Sequence, residues 1–214
     1  MRVIVIGATG FVGSKIVDEL LSRHHSVKVI VRDKNKLTHE RVEIVEKDIL
    51  TQPIINDITG ADVVVSAYNA GWSNPNLYED FIRGAQAIER AVEASGVKRL
   101  IVIGGAGSLC DEVGNQLVDS ADFPAQIKPG ALAARDYLNT LKENNTLEWT
   151  FFCPAIEMHP GTSGVRKGVY RLGLDHPVTD VNGRSVLSVE DVAVVIVDEI
   201  EHPKHIRKRF TAAY

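Results

Sequence analysis

Residues 3–13 read VIVIGATGFVG, and this stretch decides the fold. Four β-branched residues, Val3 to Ile6, run unbroken into a turn with glycine at positions 7, 10 and 13. Helical periodicity follows in Ile16, Val17, Leu20 and Leu21. Each glycine answers a separate demand of a strand-to-helix turn that holds phosphate. Gly7 bends the chain, Gly10 lets an anion approach the backbone, and Gly13 lets the helix lie close on the sheet. The anion then meets the free amides and positive dipole end of that helix. A second β-branched strand at residues 27–31 completes a βαβ unit around the motif, which predicts a bound dinucleotide. Gly7, Thr9, Gly10, Phe11 and Val12 are the residues expected to hold it.

Outward from this unit the alternation continues. Residues 42–47 form a third short strand, followed by Asp48, and the apolar run 61–67 (ADVVVSA) a fourth of the kind buried on both faces. The stripe Phe81, Ile82, Ala85, Ile88 and Val92 predicts a helix over 78–94. A fifth strand at 100–103 ends in Gly104-Gly105-Ala106-Gly107-Ser108. A further helix at roughly 130–144 precedes a strand at 149–153, which Pro154 terminates by removing a backbone donor. Glycine, proline and polar residues dominate 155–186, read as a variable lobe on the substrate side. Ser188, Glu190 and Asp191 open a last helix, and 209–214 is expected to be an edge strand. The expectation is one α/β domain over 1–214: a Rossmann-type, doubly wound parallel sheet with a small C-terminal substrate lobe. Its ligand crosses the carboxyl ends of the strands at the switch point between strands one and four.

The bulk numbers narrow the function. A chain of 214 residues, 44% hydrophobic, buries one sizeable core, and a net charge of −4 gives no electrostatic case for nucleic acid or an anionic membrane surface. The chain enters a strand directly, without an apolar leader, and no apolar run approaches membrane-spanning length, so a cytoplasmic location is expected. Cys110 and Cys153 make no disulfide framework or C-x-x-C pair. The seven histidines show no metal-ligand spacing, so no metal is expected. The sequence leaves monomer and homodimer open.

Behind the second strand stand Arg32, Asp33, Lys34 and Lys36. A carboxylate here holds the ribose 2′-hydroxyl of NAD, whereas a guanidinium directly after the strand pairs with the 2′-phosphate of NADP. Arg32 leaves the strand first and two lysines reinforce it, so NADP(H) is preferred over NAD(H). Asp48 is placed either to accept from the adenine amino group or to cap a helix. The nicotinamide is expected near Ala67, Tyr68, Gly105 and Pro154. Tyr68 and Trp72 fit either a wall for a flat substrate or an anchor for their loop.

The G-x-x-G-x-x-G spacing resembles the short-chain dehydrogenase/reductase superfamily, in its atypical NAD(P)-binding branch. Conventional members place a Tyr and a Lys four residues apart on one helix, with a Ser after strand five. The chain offers Ser108 and Tyr137, but position 141 is leucine and Lys142 lies five residues on, about 140° around the helix. Without a neighbouring ammonium Tyr137 is a poor proton donor or acceptor at neutral pH. Ser108 is placed to bond a substrate carbonyl, although a serine there also fits an ordinary turn. His159, behind Pro154, completes the catalytic candidates Ser108, Tyr137 and His159.

A wider set of stretches carries a closer resemblance: residues 104–109 (GGAGSL), 122–124 (DFP), 147–152 (LEWTFF) with Pro154, 170–173 (YRLG), 188–193 (SVEDVA) and 209–211 (RFT). Together they are similar to the NADH-flavin reductase group of NAD(P)-dependent oxidoreductases, related to biliverdin reductase B and to NmrA-like redox sensors. The resemblance runs nearly end to end. It implies hydride transfer from NAD(P)H to a small flat acceptor such as a flavin or quinone. Two further activities accompany it: an NmrA-like NADP-binding sensor without turnover, and a nucleotide-dependent epimerase or dehydratase. The chain departs from the pattern in carrying His159 before Pro160-Gly161, where relatives carry an apolar residue, and in ending Ala212-Ala213-Tyr214.

Overall fold

In the computed structural model, which describes residues Met1–Tyr214, the chain alternates strand and helix for most of its length. Strand β1 (Arg2–Ile6) enters helix α1 (Phe11–Ser22), which returns to β2 (Ser26–Val31) and then β3 (Glu43–Glu46). A single helical turn, α2 (Ile55–Ile58), precedes β4 (Val63–Ser66), and the long α3 (Leu77–Ser95) leads to β5 (Arg99–Ile103). Helix α4 (Lys128–Leu141) precedes β6 (Glu148–Cys153). Strand β7 (Arg171–Gly173), helix α5 (Val189–Glu201) and β8 (Lys208–Ala213) complete the chain.

These strands form one sheet in the order β3-β2-β1-β4-β5-β6-β8-β7, parallel except for β7. Alternate residues of each strand face opposite layers, as the period of two requires. Ile4, Val64, Leu100 and Phe151 pack under α3 and α4, while Val3, Val5, Ile101 and Phe210 pack under α1 and α5. Burial on both faces accounts for the unbroken β-branched runs of β1 and β4. Strand β1 pairs with β2 on one side and β4 on the other, so the switch point falls at their carboxyl ends, behind Ile6 and Ser66.

The sheet's far side corrects one expectation. Strand β8 is interior, because β7 covers its outer edge antiparallel, pairing Arg171 with Ala213 and Gly173 with Thr211. The segment 155–186 therefore supplies the edge strand of the main sheet. The backbone amides of Lys167 and Gly168 also donate to the Asp191 carboxylate at 3.0 and 2.8 Å, binding the segment to α5. Other element bounds differ from the sequence expectations by one to three residues, mostly at frayed ends. No helix is long and apolar enough to cross a membrane.

Candidate active site

The glycine turn is built as its sequence requires. Gly7 adopts φ +86°, and a Cβ there would stand 2.4 Å from the Ala67 carbonyl oxygen, so β1 and β4 close together only around a glycine. A Cβ at Gly13 would meet the Gly7 carbonyl oxygen at 2.2 Å. At Gly10 the one atom near a Cβ is that same oxygen, at 3.3 Å, so its outer side is open. Gly10 caps α1 without a side-chain hydrogen bond, and no acidic residue occupies the first turn. The first-turn amides, which have no intrahelical acceptor, therefore face outward with the positive dipole end. This cradle fits a dinucleotide pyrophosphate.

A cavity of about 330 Å³ opens from the turn across the carboxyl ends of β1, β2 and β4. Gly7, Thr9, Gly10, Phe11, Arg32, Ala67, Tyr68 and Trp72 line it. Val12 does not; its side chain packs against the layer under α1 and α5. Asp48 stands just outside, its carboxylate accepting the Leu50 amide at 2.9 Å, while its neighbour Ile49 lines the wall. Near the strands expected to receive the nicotinamide, nothing lies within 4 Å of a Cβ at Gly105, and Pro154 is buried behind β6. A larger depression of about 420 Å³, between residues 49–55 and the outer face of α3, contains none of the glycine turn.

Charge at the end of β2 is divided between two neighbours. The Asp33 carboxylate accepts the Asn35 amide at 3.0 Å, capping a short 3-10 turn at Lys34–Lys36. Lys34 pairs with Glu46 at 3.4 Å. Arg32 is exposed at the cavity and makes no ion pair or hydrogen bond within the chain. Lys36 joins it on the cavity wall, with Asp33 as a loose partner at 3.9 Å. The free cation and the internally engaged carboxylate fit a ribose bearing a 2′-phosphate.

The catalytic candidates do not converge. Ser108 is fully buried in the 3-10 turn after β5, and its hydroxyl has no protein partner. Its carbonyl accepts from the Arg209 guanidinium, which also binds Asp175. Nothing local in the sequence signals this tie, because Arg209 lies in a strand a hundred residues away. Tyr137 requires a correction: it is 1% exposed, in the core beneath α3 and α4. Burial, reinforced by the charges of Glu89 and Glu93, holds its phenol well above the ordinary range, which argues against a role in proton transfer. His159 is exposed, and its Nδ1 accepts the Gly161 amide at 3.1 Å as a helix cap. Tyr68 lines the cavity, and its ring stacks on Phe81 at 6.1 Å and covers Gly84. Its hydroxyl donates to the Asp80 carbonyl at 3.0 Å, and burial pushes it up to about 12. Sequence reading missed Lys47 and Ile49 as lining residues, although both flank Asp48, which it had singled out.

Residues 7–203 match the model of the NAD(P)H-binding family. The uncharacterized protein YwnB of Bacillus subtilis is 35% identical over 213 residues, 99% of this chain and 97% of that one. A candidate epimerase from Bacteroides thetaiotaomicron is 39% identical and superposes with a TM-score of 0.91, covering 100% of this chain and 96% of its own. A candidate NADH-flavin reductase from Streptococcus pneumoniae is 36% identical with a TM-score of 0.88, covering 100% and 99%.

Proposed function

The chain belongs to the NAD(P)H-binding family, and from that premise we propose that it is an oxidoreductase that passes hydride from NADPH to a flat acceptor such as a flavin or quinone. The observation that carries the proposal is a combination: an open dinucleotide cradle, and a helix tyrosine withdrawn into the core. The nicotinamide supplies the hydride, and transfer to a stacked acceptor needs orientation more than a positioned acid, since solvent delivers the proton. The likeness to the Streptococcus pneumoniae protein supports the flavin among such acceptors.

In this reading the first-turn amides of α1 hold the pyrophosphate and Arg32 binds the 2′-phosphate. Gly105 provides a shelf without a side chain for the nicotinamide, whereas the Ser108 hydroxyl, fully buried and absent from the cavity lining, is not in place to meet the acceptor. Epimerase chemistry, the activity named for the Bacteroides thetaiotaomicron protein, calls for an acid or base that Tyr137 does not supply. The test is anaerobic NADPH oxidation with FMN, FAD, riboflavin and a small quinone in turn. Saturable oxidation with one of them supports the reductase. NADPH binding with no oxidation by any acceptor rejects it in favour of an NADP-binding sensor.

A further inference from the structure

Trp72 is a large aromatic held in place and left open to water. Its side chain lines the cavity at 62% exposure, whereas the other tryptophan, Trp149, is 3% exposed in the core. One edge of the indole is seated on α4, where a Cβ at Gly130 would stand 2.9 Å from Cζ3 and 3.4 Å from Cη2. The loop beneath it is tied down. The Asn69 side chain accepts the Gly71 amide at 2.7 Å, and Asn74 donates from its backbone to the Gly71 carbonyl at 2.9 Å and from its side chain to Asp80 at 2.9 Å. Phe11, the first residue of α1, lines the same cavity at 42% exposure. Exposed apolar surface of this size, rimmed by the polar groups of a cleft, marks a binding surface. Tyr68 cannot share the role, because its ring is committed to Phe81 and Gly84.

We propose that Trp72 is the stacking wall for the fused flat ring of the acceptor, with Phe11 as a second apolar contact and Gly130 as the seat that sets the indole's position. The existence of the wall stands on the geometry; that the ring belongs to an acceptor rests on the reductase reading. Planar rings stack on indole in offset arrangements, and a seat without a side chain keeps the indole from being pushed across the cavity.

The test is a titration of the intact protein with FMN and riboflavin, followed by tryptophan emission and, independently, by flavin fluorescence. Saturable quenching is expected, and it should be smaller in Trp72→Phe, where only buried Trp149 emits. Trp72→Ala should weaken flavin binding about tenfold. Trp72→Phe should retain most of the affinity, and Gly130→Val should reproduce the loss with the tryptophan still present. NADPH affinity should fall far less than flavin affinity in each variant. Quenching that NADPH alone saturates, with no further response to flavin, would identify the ring as the cofactor's adenine and overturn the proposal. Unchanged flavin affinity in Trp72→Ala would also overturn it. Saturable quenching by flavin without NADPH oxidation would uphold the wall and reject the reductase; oxidation with an unaltered flavin KM in Trp72→Ala would do the reverse.

Discussion

Gly13 lies so close to Gly7 that a Cβ on the first would stand 2.2 Å from the carbonyl oxygen of the second. Helix α1 therefore rests directly on the phosphate turn, and any side chain at Gly13 must lift the helix or distort the turn. Gly13→Ala is expected to lower stability by about 1–3 kcal/mol, as overpacking a tight contact does, and to weaken NADPH binding in calorimetry. Gly105→Ala is the contrasting variant. With nothing within 4 Å of its Cβ, it should melt like the wild type yet weaken NADPH, because the new methyl occupies the shelf.

In the proposed reading, Arg32 carries a preference for the phosphorylated cofactor. Asp33 is engaged with the Asn35 amide and Arg32 has no partner, so the cavity presents a cation where the 2′ position of the ribose is expected. Arg32→Gln should raise the Kd for NADPH about tenfold or more, the scale of one charge-assisted contact, and leave that for NADH nearly unchanged. Equal weakening of both cofactors would mean that Arg32 contacts something other than the phosphate.

Ser108 and Tyr137 should both prove dispensable to turnover, since neither reaches the cavity. The Ser108 hydroxyl is buried without a protein partner, so Ser108→Ala removes no protein hydrogen bond and should not lower the melting temperature. Turnover and NADPH affinity should also be retained, because the hydroxyl is closed off from the cavity; a fall of about tenfold in turnover would instead place it against the acceptor. Tyr137→Phe should leave turnover intact, because the phenol is enclosed beneath α3 and α4. Loss of turnover in Tyr137→Phe would restore the acid/base chemistry set aside above.

The segment 155–186 is secured through Glu19, which is 6% exposed. Arg166 binds both its oxygens at 2.9 and 2.8 Å, and Arg23 adds a contact at 2.8 Å. The Arg166 contact, aided by Arg23, outweighs burial and holds the Glu19 carboxyl below its ordinary value of 4.5. A depressed carboxyl pKa contributes stability above the unfolded value and loses it as pH falls through the folded one, because the unfolded chain binds the proton first. Thermal melts from neutral pH downward should thus show stability falling below pH 4.5. Glu19→Gln, compared in the same series, should start less stable and show a shallower acid fall. An equally steep fall would place the acid sensitivity elsewhere.

Much of this architecture was legible because its signals are local. The run Val3–Ile6, the glycines at 7, 10 and 13 and the stripes of α3 and α5 each specify their element from neighbouring residues. The edge of the sheet was not. Strand β7 is three residues long, with exposed Arg171 and Leu172, and its pairing with β8 depends on contacts some forty residues apart. The lining of the cavity could be read from position after a strand, as for Arg32 and Tyr68. Orientation could not: whether Asp33 faces a ribose or caps Asn35, and whether Tyr137 faces a substrate or the core, depends on rotations of a short turn and of α4 that tertiary packing decides.

The most direct measurement follows reduced-nicotinamide absorbance and flavin absorbance together in an anaerobic stopped-flow mix of enzyme, NADPH and FMN, repeated with NADPH deuterated at the transferred position of the nicotinamide. Direct hydride transfer predicts that both absorbances fall in step and that deuterium slows both. NADPH binding with neither absorbance changing, for FMN and for every other acceptor tried, would contradict it.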